Sequence, residues 1–428
     1  MARYTKKLAK LAAPMMTGIW VISLAAGQSP TGKANLHDWP NWRGPDRNGI
    51  SMETDWLGTW PESGPKQVWQ GSLGTGFSSI AVCNGKVYTM GNTGQNGPED
   101  DADEKDVVFC LDANTGKEIW KKEYPCSLAP QNYEGGPHAT PTVDGNKVYT
   151  FSKQGHAYCF DAETGKVIWS RDLQKEEGLK PPTWGFAGSP LIQGNLVILN
   201  AGSAGIALDK TSGKVVWKSQ SEVAGYSTPL PFKINDQEGL AMFTDKEMVA
   251  VNAADGKELW QYPWETDWDI NAAEPIFSGD AVFLSSGYKT GCALVQISKG
   301  EFKELWRHKN MRNQVNSSVL WEGHIYGFDG NVGGGGILRC LDIKTGEERW
   351  SQNGLGTGSL MLADGKLIIL SEKGELVIAQ ATPKEFKVLR RSQILTGKCW
   401  TVPVLCNGKI YARNADGKLV CVDVKMGG

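Results

Sequence analysis

Tryptophan is a rare residue, yet along this chain it returns on a regular beat. Trp69, Trp120, Trp169, Trp217, Trp260, Trp306 and Trp350 follow one another at intervals of 43 to 51 residues. Five of them end one phrase, in which Asp or Asn leads into a turn containing Gly and then a short run closing on Trp: residues 112–120, 161–169, 209–217, 252–260 and 342–350. Trp306 ends a degenerate copy and Trp69 an N-terminal half copy. A repeat of this length is one supersecondary unit that cannot bury its apolar face alone, so the units must stack. An indole buries roughly 150–250 Å², so seven in register would dominate the contacts between units as blade-docking anchors.

Each unit holds four short β-type runs. In the second they are 138–143, 147–152, 156–161 and 167–171, separated by Asp-Gly-Asn, Gln-Gly and Thr-Gly turns, and the order returns over 188–192, 196–201, 205–209 and 215–219. Gly supplies the positive φ that tight hairpins demand, while Asp and Thr oxygens satisfy the turn amides. Strands of this length joined by such turns are antiparallel hairpins, and four of them in ~45 residues is the size of a propeller blade. The expected fold is all-β, a β-propeller of four-stranded antiparallel blades. The chain opens with a lone outer strand at 66–71 and closes on 400–405, 409–413 and 418–423, which lack a fourth. One end supplies what the other misses, so the N-terminal outer strand should join the C-terminal blade and close the ring. With 386–391 counted as an outer strand without Trp, the ring is eight-bladed; seven blades is the nearest competitor.

The repeat also accounts for most of the nine cysteines. The position two before the repeated Asp or Asn holds Cys110, Cys159, Ala207, Ala250, Cys340 and Cys421, a small apolar slot in the third strand. Cys83 and Cys406 fall in a slot that Val143 and Ile192 fill elsewhere. These thiols read as packing atoms, and a bridge among Cys126, Cys292 and Cys399 is left open. The formal net charge of −2 lacks the footprint of a nucleic-acid binder. No run reaches the ~18–20 apolar residues of a membrane-spanning helix. Arg3, Lys6, Lys7 and Lys10 precede a largely apolar stretch ending at Ala25-Ala26-Gly27, which reads as an export signal, and Gln28 stands where a lipoprotein signal needs Cys. The expected layout is a signal over 1–27, a Trp-, Pro- and Gly-rich arm over 28–65 and the propeller over 66–428, in a periplasmic or secreted monomer. The arm's Trp39, Trp42, Trp56 and Trp60 need burial, so the arm is expected to lie across the propeller and cap an apolar edge.

The pattern small-x-Asp-x-x-Thr-Gly-x-x-x-Trp, clearest at 110–120, 159–169 and 207–217, resembles the tryptophan-docking motif of pyrroloquinoline-quinone (PQQ) type propeller repeats. The resemblance runs from about Lys66 to Asp423. Two groups share the motif: quinoprotein dehydrogenases, which hold PQQ and Ca²⁺ on the propeller axis, and cofactor-free propellers related to the outer-membrane assembly factor BamB. The arm sequence Trp39-Pro40-Asn41-Trp42-Arg43-Gly44-Pro45 is similar to that of exported bacterial PQQ-like repeat proteins. The dehydrogenase group implies two adjacent, bridged cysteines, and the chain has no Cys-Cys pair. The missing lipid-attachment Cys in turn departs from the assembly-factor pattern.

Oxidation chemistry would need a carboxylate base and oxygen ligands for Ca²⁺. The candidate is Glu274, in a slot that other blades fill with Thr140, Ser189 and Thr228, with Asp269 and Asn271 just upstream as further oxygen donors. The plainer reading of Glu274 is a hydrated charge on a solvated channel. His138, Trp184, Tyr226, Asn316 and Trp400 stand near the starts of innermost strands and complete a candidate binding rim with those three. Among the insertions, acidic 98–106 lacks the Gly and Glu of an EF-hand and reads as a solvated loop, 330–336 as a flexible Gly turn, and 175–184 as a stiff rim projection around Pro181-Pro182. No hydrolase elbow and no zinc-ligand spacing is present. The expected function is an exported, non-catalytic scaffold for a protein or extended peptide, without a cofactor. The alternatives are a PQQ- and calcium-dependent alcohol or sugar dehydrogenase and a carbohydrate-binding propeller.

Overall fold

The computed structural model describes residues 37–94 and 103–426. The export signal read at 1–27 and part of the acidic insertion lie outside the described residues. The strands group into eight antiparallel four-stranded blades. Blade 1 runs outward through Ala81–Cys83, Lys86–Asn92, Lys105–Asp112 and Glu118–Pro125. Blades 2 to 7 open on the innermost strands Thr142–Asp144, Leu191–Gln193, Leu230–Ile234, Ile276–Ser278, Val319–Trp321 and Ser359–Ala363. Blade 8 is composite: Val404–Cys406, Lys409–Arg413 and Lys418–Asp423 are completed by Lys66–Ser72, which pairs antiparallel with Lys418–Asp423, Lys66 opposite Asp423. Eight blades and a shared closing blade are as the sequence implies.

The periodic tryptophans are the pins between blades, and their geometry shows why the motif has its form. Each sits on the outermost strand of one blade and faces the third-to-fourth hairpin of the next, where most donate the indole N–H to a carbonyl. Trp69 donates to Ala113, Trp120 to Ala162, Trp169 to Lys210, Trp217 to Ala253 and Trp306 to Ile343, over 2.9–3.1 Å. The Gly of that hairpin lies flat on the ring: a Cβ on Gly165, which has φ +66°, would come within 2.6 Å of Trp120. The recurrent Asp accepts from the turn amides, as Asp112 does from Thr115 at 2.8 Å. All nine cysteines are free and buried, including Cys126, Cys292 and Cys399.

Two blades break the rule. Trp260 is buried, but its indole N–H has no partner. The facing hairpin of blade 5 is a tight two-residue turn, Lys299-Gly300, too short to present the usual carbonyl, and Trp260 packs instead against Phe232 and Phe302. Trp120→Phe is therefore expected to cost about 1 kcal/mol more than Trp260→Phe, because only the first gives up a hydrogen bond. Urea unfolding of the two variants measures the difference.

Blade 7 has no docking tryptophan. Arg390 lies opposite Ile378 as Trp120 lies opposite Cys110, and it donates from Nε to the carbonyl of Trp60 at 2.9 Å. Trp56 and Trp60 of the arm are buried in one apolar cluster with Ile368 and Ile378 of blade 7 and Val404, Ile410 and Val422 of blade 8. The arm thus supplies indoles where the repeat omits one.

The structure corrects the sequence reading at three places. Asp106 is not part of a solvated loop: it lies at the start of the strand Lys105–Asp112, is buried and accepts from the Asn92 amide at 2.8 Å, and burial pushes its pKa up to about 6. The segment 175–184 is not a simple projection. It begins inside a short helix, Leu173–Glu177, with Asp172 accepting from Lys175 N as N-cap and Gly178 left-handed at the C-cap, and then turns inward so that Leu179 and Pro182 are buried. The innermost strands also start later than expected, at Thr142 rather than 138 and at Leu191 rather than 188, because the residues before them bond to neighbouring blades.

Candidate functional site

Before each innermost strand the chain runs along the propeller axis with its amides turned sideways, toward the adjacent blade. The amide of Thr140 donates to Ser189 Oγ at 2.9 Å, that of Ser189 to Thr228 Oγ1 at 3.1 Å, that of Thr228 to Glu274 Oε1 at 3.2 Å, and that of Glu274 to Ser317 Oγ at 2.9 Å. Elsewhere backbone carbonyls take over: Asn316 Nδ2 donates to Gly358, Ser359 Oγ to Thr401, Ser79 Oγ to Val402 and Phe77 N to Pro137. The small-hydroxyl slot is thus a ring of blade-to-blade bonds. Such groups would otherwise be buried unpaired, at a cost of ~1–3 kcal/mol each.

Glu274 is the carboxylate in that ring, and its extra length has a structural use. Its Oε1 also accepts from the Trp42 indole at 2.7 Å, and Ser317 Oγ donates to Oε2. Arg43, buried nearby, donates to the carbonyls of Ser318 at 2.7 Å and Asn48 at 2.9 Å. Desolvation pushes the Arg43 pKa down, and the Glu274 charge opposes that.

These bonds show what the arm does. It touches the far ends of the same innermost strands: Trp39 pairs with Val82, the Pro40 carbonyl accepts from Val143 N, Ile50–Ser51 runs parallel to Leu362 and Ala363, and Glu53 accepts from Asn407 N and Gly408 N. Gly44, at φ +81°, is needed because a Cβ there would meet the Trp39 ring at 2.5 Å. The arm seals one end of the axis, with Trp42 projecting inward.

At the other end the axis opens into a cup of about 270 Å³. His138, Trp184, Tyr226, Glu274, Asn316 and Trp400 all line it, so six of the eight rim residues named from sequence converge on one cavity. The other two do not. Asn271 is buried and spends its amide on the carbonyls of Asp245 and Trp264, with Ser286 Oγ donating to its oxygen; Asp269 is exposed on a tight turn. The oxygen-rich cluster expected of Asp269, Asn271 and Glu274 is therefore not assembled.

Sequence reasoning missed Trp42, Phe77, Tyr133, Tyr288 and Thr401, which also line the cup. Their signal was available only in part, as aromatic residues near positions the repeat otherwise fills with small ones. Phe77 stacks on Trp400 at 5.3 Å and 22°, and Tyr133 lies against His138 at 5.5 Å. Lys153, buried behind the wall, donates to Tyr133 Oη at 3.1 Å. Burial lowers its pKa to about 8.

Backbone strain is concentrated here as well. Apart from hairpin turns and the arm, the described non-glycine residues with positive φ are Ala129, Asn132, Trp268 and Asp269, and two more, Tyr288 and Lys289, form the hairpin turn between the second and third strands of blade 5. Of these, Asn132 and Tyr288 line the cup, and Trp268 and Asp269 immediately precede its lining residue Ile270. Left-handed non-glycine residues cost energy and persist where surroundings over-determine them, often at binding sites.

Burial, with the Lys153 charge as a smaller cause, holds the His138 imidazole neutral and pushes its pKa from 6.5 down to about 3. The unfolded chain takes up a proton at His138 below about pH 6.5 that the folded protein refuses, so its contribution to stability is present above that pH and lost as pH falls. Relative to His138→Gln, the natural protein is expected to lose up to ~1.4 kcal/mol per pH unit between about 6 and 4. Paired urea titrations across that range test it, and parallel pH profiles would contradict it.

A ring of tryptophan-pinned blades, sealed at one end and opening on an aromatic cup at the other, defines the molecule as a β-propeller built from PQQ-like repeats. The family described as outer membrane protein assembly factor BamB matches residues 104–352 and 334–428, and the chain belongs to that family. It is 24% identical over 380 residues to the outer membrane protein assembly factor BamB of Yersinia pestis, covering 85% of this chain and 79% of that one. Among solved structures it resembles BamB from Moraxella catarrhalis, with a TM-score of 0.61 and 16% identity over 84% of this chain and 100% of the other. It also resembles a quinohemoprotein alcohol dehydrogenase from Pseudomonas putida, with a TM-score of 0.64 and 14% identity over 92% and 81%. At these identities the structural likenesses concern the fold alone.

The cofactor of the dehydrogenase group can be tested against the donors present. Calcium takes about six to eight oxygen ligands. Around Glu274 the carboxylate is already held by Trp42, Thr228 and Ser317, and a buried arginine lies near it. That donor set does not fit a calcium-bound quinone.

Proposed function

We propose that the protein is an exported, non-catalytic scaffold that docks another protein outside the cytoplasm, in the manner of the assembly factor it resembles. Family membership supports the class. The observation that carries the docking itself is on the perimeter of the ring. Every outermost strand ends its sheet and leaves one edge unpaired. The outward positions of several carry exposed apolar side chains: Ile119, Val167, Ile168, Val216, Leu305 and Val388. An unpaired edge bearing exposed apolar side chains is the template for strand addition by an extended segment of a partner. No helix among the described residues is long and apolar enough to cross a membrane.

In the organism that encodes it, deleting the gene is expected to lower the yield of assembled outer-membrane β-barrel proteins. A chain carrying Ile119→Asp, Ile168→Asp and Val216→Asp should fold, since the sites are exposed, yet fail to restore that yield. Unchanged assembly in the deletion, or full rescue by the triple variant, would contradict the reading.

A further inference from the structure

The axial cup is too narrow and enclosed for a folded partner, and its chemistry is distinct from that of the perimeter. Two features define what fits inside it. The first is the wall: Phe77, Tyr133, Trp184, Tyr226 and Trp400 surround the space with aromatic rings. The indole N–H of Trp400 is already donated to Glu372 at 3.0 Å, and that of the floor residue Trp42 to Glu274, so these two offer their faces.

The second is the polar inventory. The cup has no uncommitted charge: Glu274 is its single lining carboxylate, no lysine or arginine lines it, and three protein donors hold Glu274. What stands free is neutral. The His138 ring lines the cup, makes aromatic contacts and forms no hydrogen bond among the described residues. Gln131 and Asn132 hold exposed amides at the mouth, on a loop fixed by left-handed Ala129 and Asn132.

We propose that the cup is a binding site for a neutral sugar ring, one unit of an uncharged glycan. A pyranose has an apolar C–H face that packs on aromatic rings and a perimeter of hydroxyls that both donate and accept. That combination covers the walls and satisfies His138 within and the Gln131 and Asn132 amides at the mouth. An anionic ligand would be desolvated beside the Glu274 carboxylate with no lysine or arginine lining the cup to meet it, and a purely hydrocarbon side chain would leave His138 covered and unpaired, each at a cost. The volume, about 270 Å³, sits at the small end of ligand pockets and suits one ring. The site is independent of the perimeter surface proposed for protein docking.

The test is an array of neutral and acidic glycans probed with the full chain, followed by calorimetric titration of the best neutral binder. Saturable binding is expected, weakened about ten-fold or more by Trp184→Ala and by Trp400→Ala. His138→Phe, which keeps an aromatic wall but removes both ring nitrogens, should also weaken it, and this guards against misfolding of the tryptophan variants. The perimeter triple variant should bind as tightly as the natural chain. The proposal is overturned if no neutral glycan binds above the level of Trp184→Ala, if acidic glycans bind better, or if a hydrophobic peptide occupies the cup with the same dependence on Trp184 and Trp400.

Discussion

Replacing Arg413 with methionine is expected to destabilise the protein by about 3–5 kcal/mol, more than any surface change on the ring. Arg413 ends the second strand of blade 8 and is fully buried, yet what it binds belongs to blade 1 and the entry into it. Its guanidinium donates to the carbonyls of Met90 at 2.6 Å, Gly76 at 3.0 Å and Ser78 at 3.1 Å, and to Thr89 Oγ1 at 3.1 Å. Burial pushes its pKa down to about 10, which still leaves it charged at neutral pH. Methionine keeps an unbranched apolar stem but orphans these acceptors at the seam where the ring closes. Arg413→Lys, with a single ammonium that cannot span the fork, should fall between the two. Urea unfolding followed by tryptophan fluorescence measures both, and a loss below about 1 kcal/mol for the methionine variant would remove Arg413 from the account.

The second large effect is expected at Trp60, outside the repeat. If the arm supplies the indoles missing between blades 7 and 8, Trp60→Ala should cost about 3–5 kcal/mol, comparable to Trp120→Ala at a regular docking site. It should also loosen the arm: cleavage by a nonspecific protease between Trp39 and Trp60 should become faster than in Trp120→Ala, because Trp60 anchors the arm itself and Trp120 does not. A cost typical of a surface residue, within ~0.5 kcal/mol, would mean that the arm merely covers the ring.

What could be read from sequence, and what could not, follows from periodicity. The docking indoles, the Asp–Thr–Gly turns and the composite blade were legible because each is an event repeated along the chain, and a repeat specifies contacts between neighbours in the same register. Arg390 and Trp60 were opaque for the converse reason. One is an exception in the repeat and the other its remedy, 330 residues away, with nothing local to connect them. Glu274 stood out as a carboxylate in a hydroxyl slot, but its partner Trp42 is 232 residues distant, so a structural bond could not be told from a reactive group. Asp106 was misread because a run of acidic residues does not reveal which carboxylate turns inward at a strand start. The helix Leu173–Glu177 did carry its own signals, Asp172 at the N-cap and Gly178 beyond the end, but at five residues it was submerged in the β pattern.

Ring closure by a shared blade underlies the cup, the seam at Arg413 and the position of the arm. Hydrogen exchange of the amides in Lys66–Ser72 tests it most directly. The strand pairs with Lys418–Asp423 along its length, so the hydrogen-bonded amides of both are expected to exchange only through global unfolding, with matching opening free energies under EX2 conditions. Amides of Lys66–Ser72 exchanging as freely as an unpaired terminal segment, while Lys418–Asp423 stay protected, would contradict the closed ring.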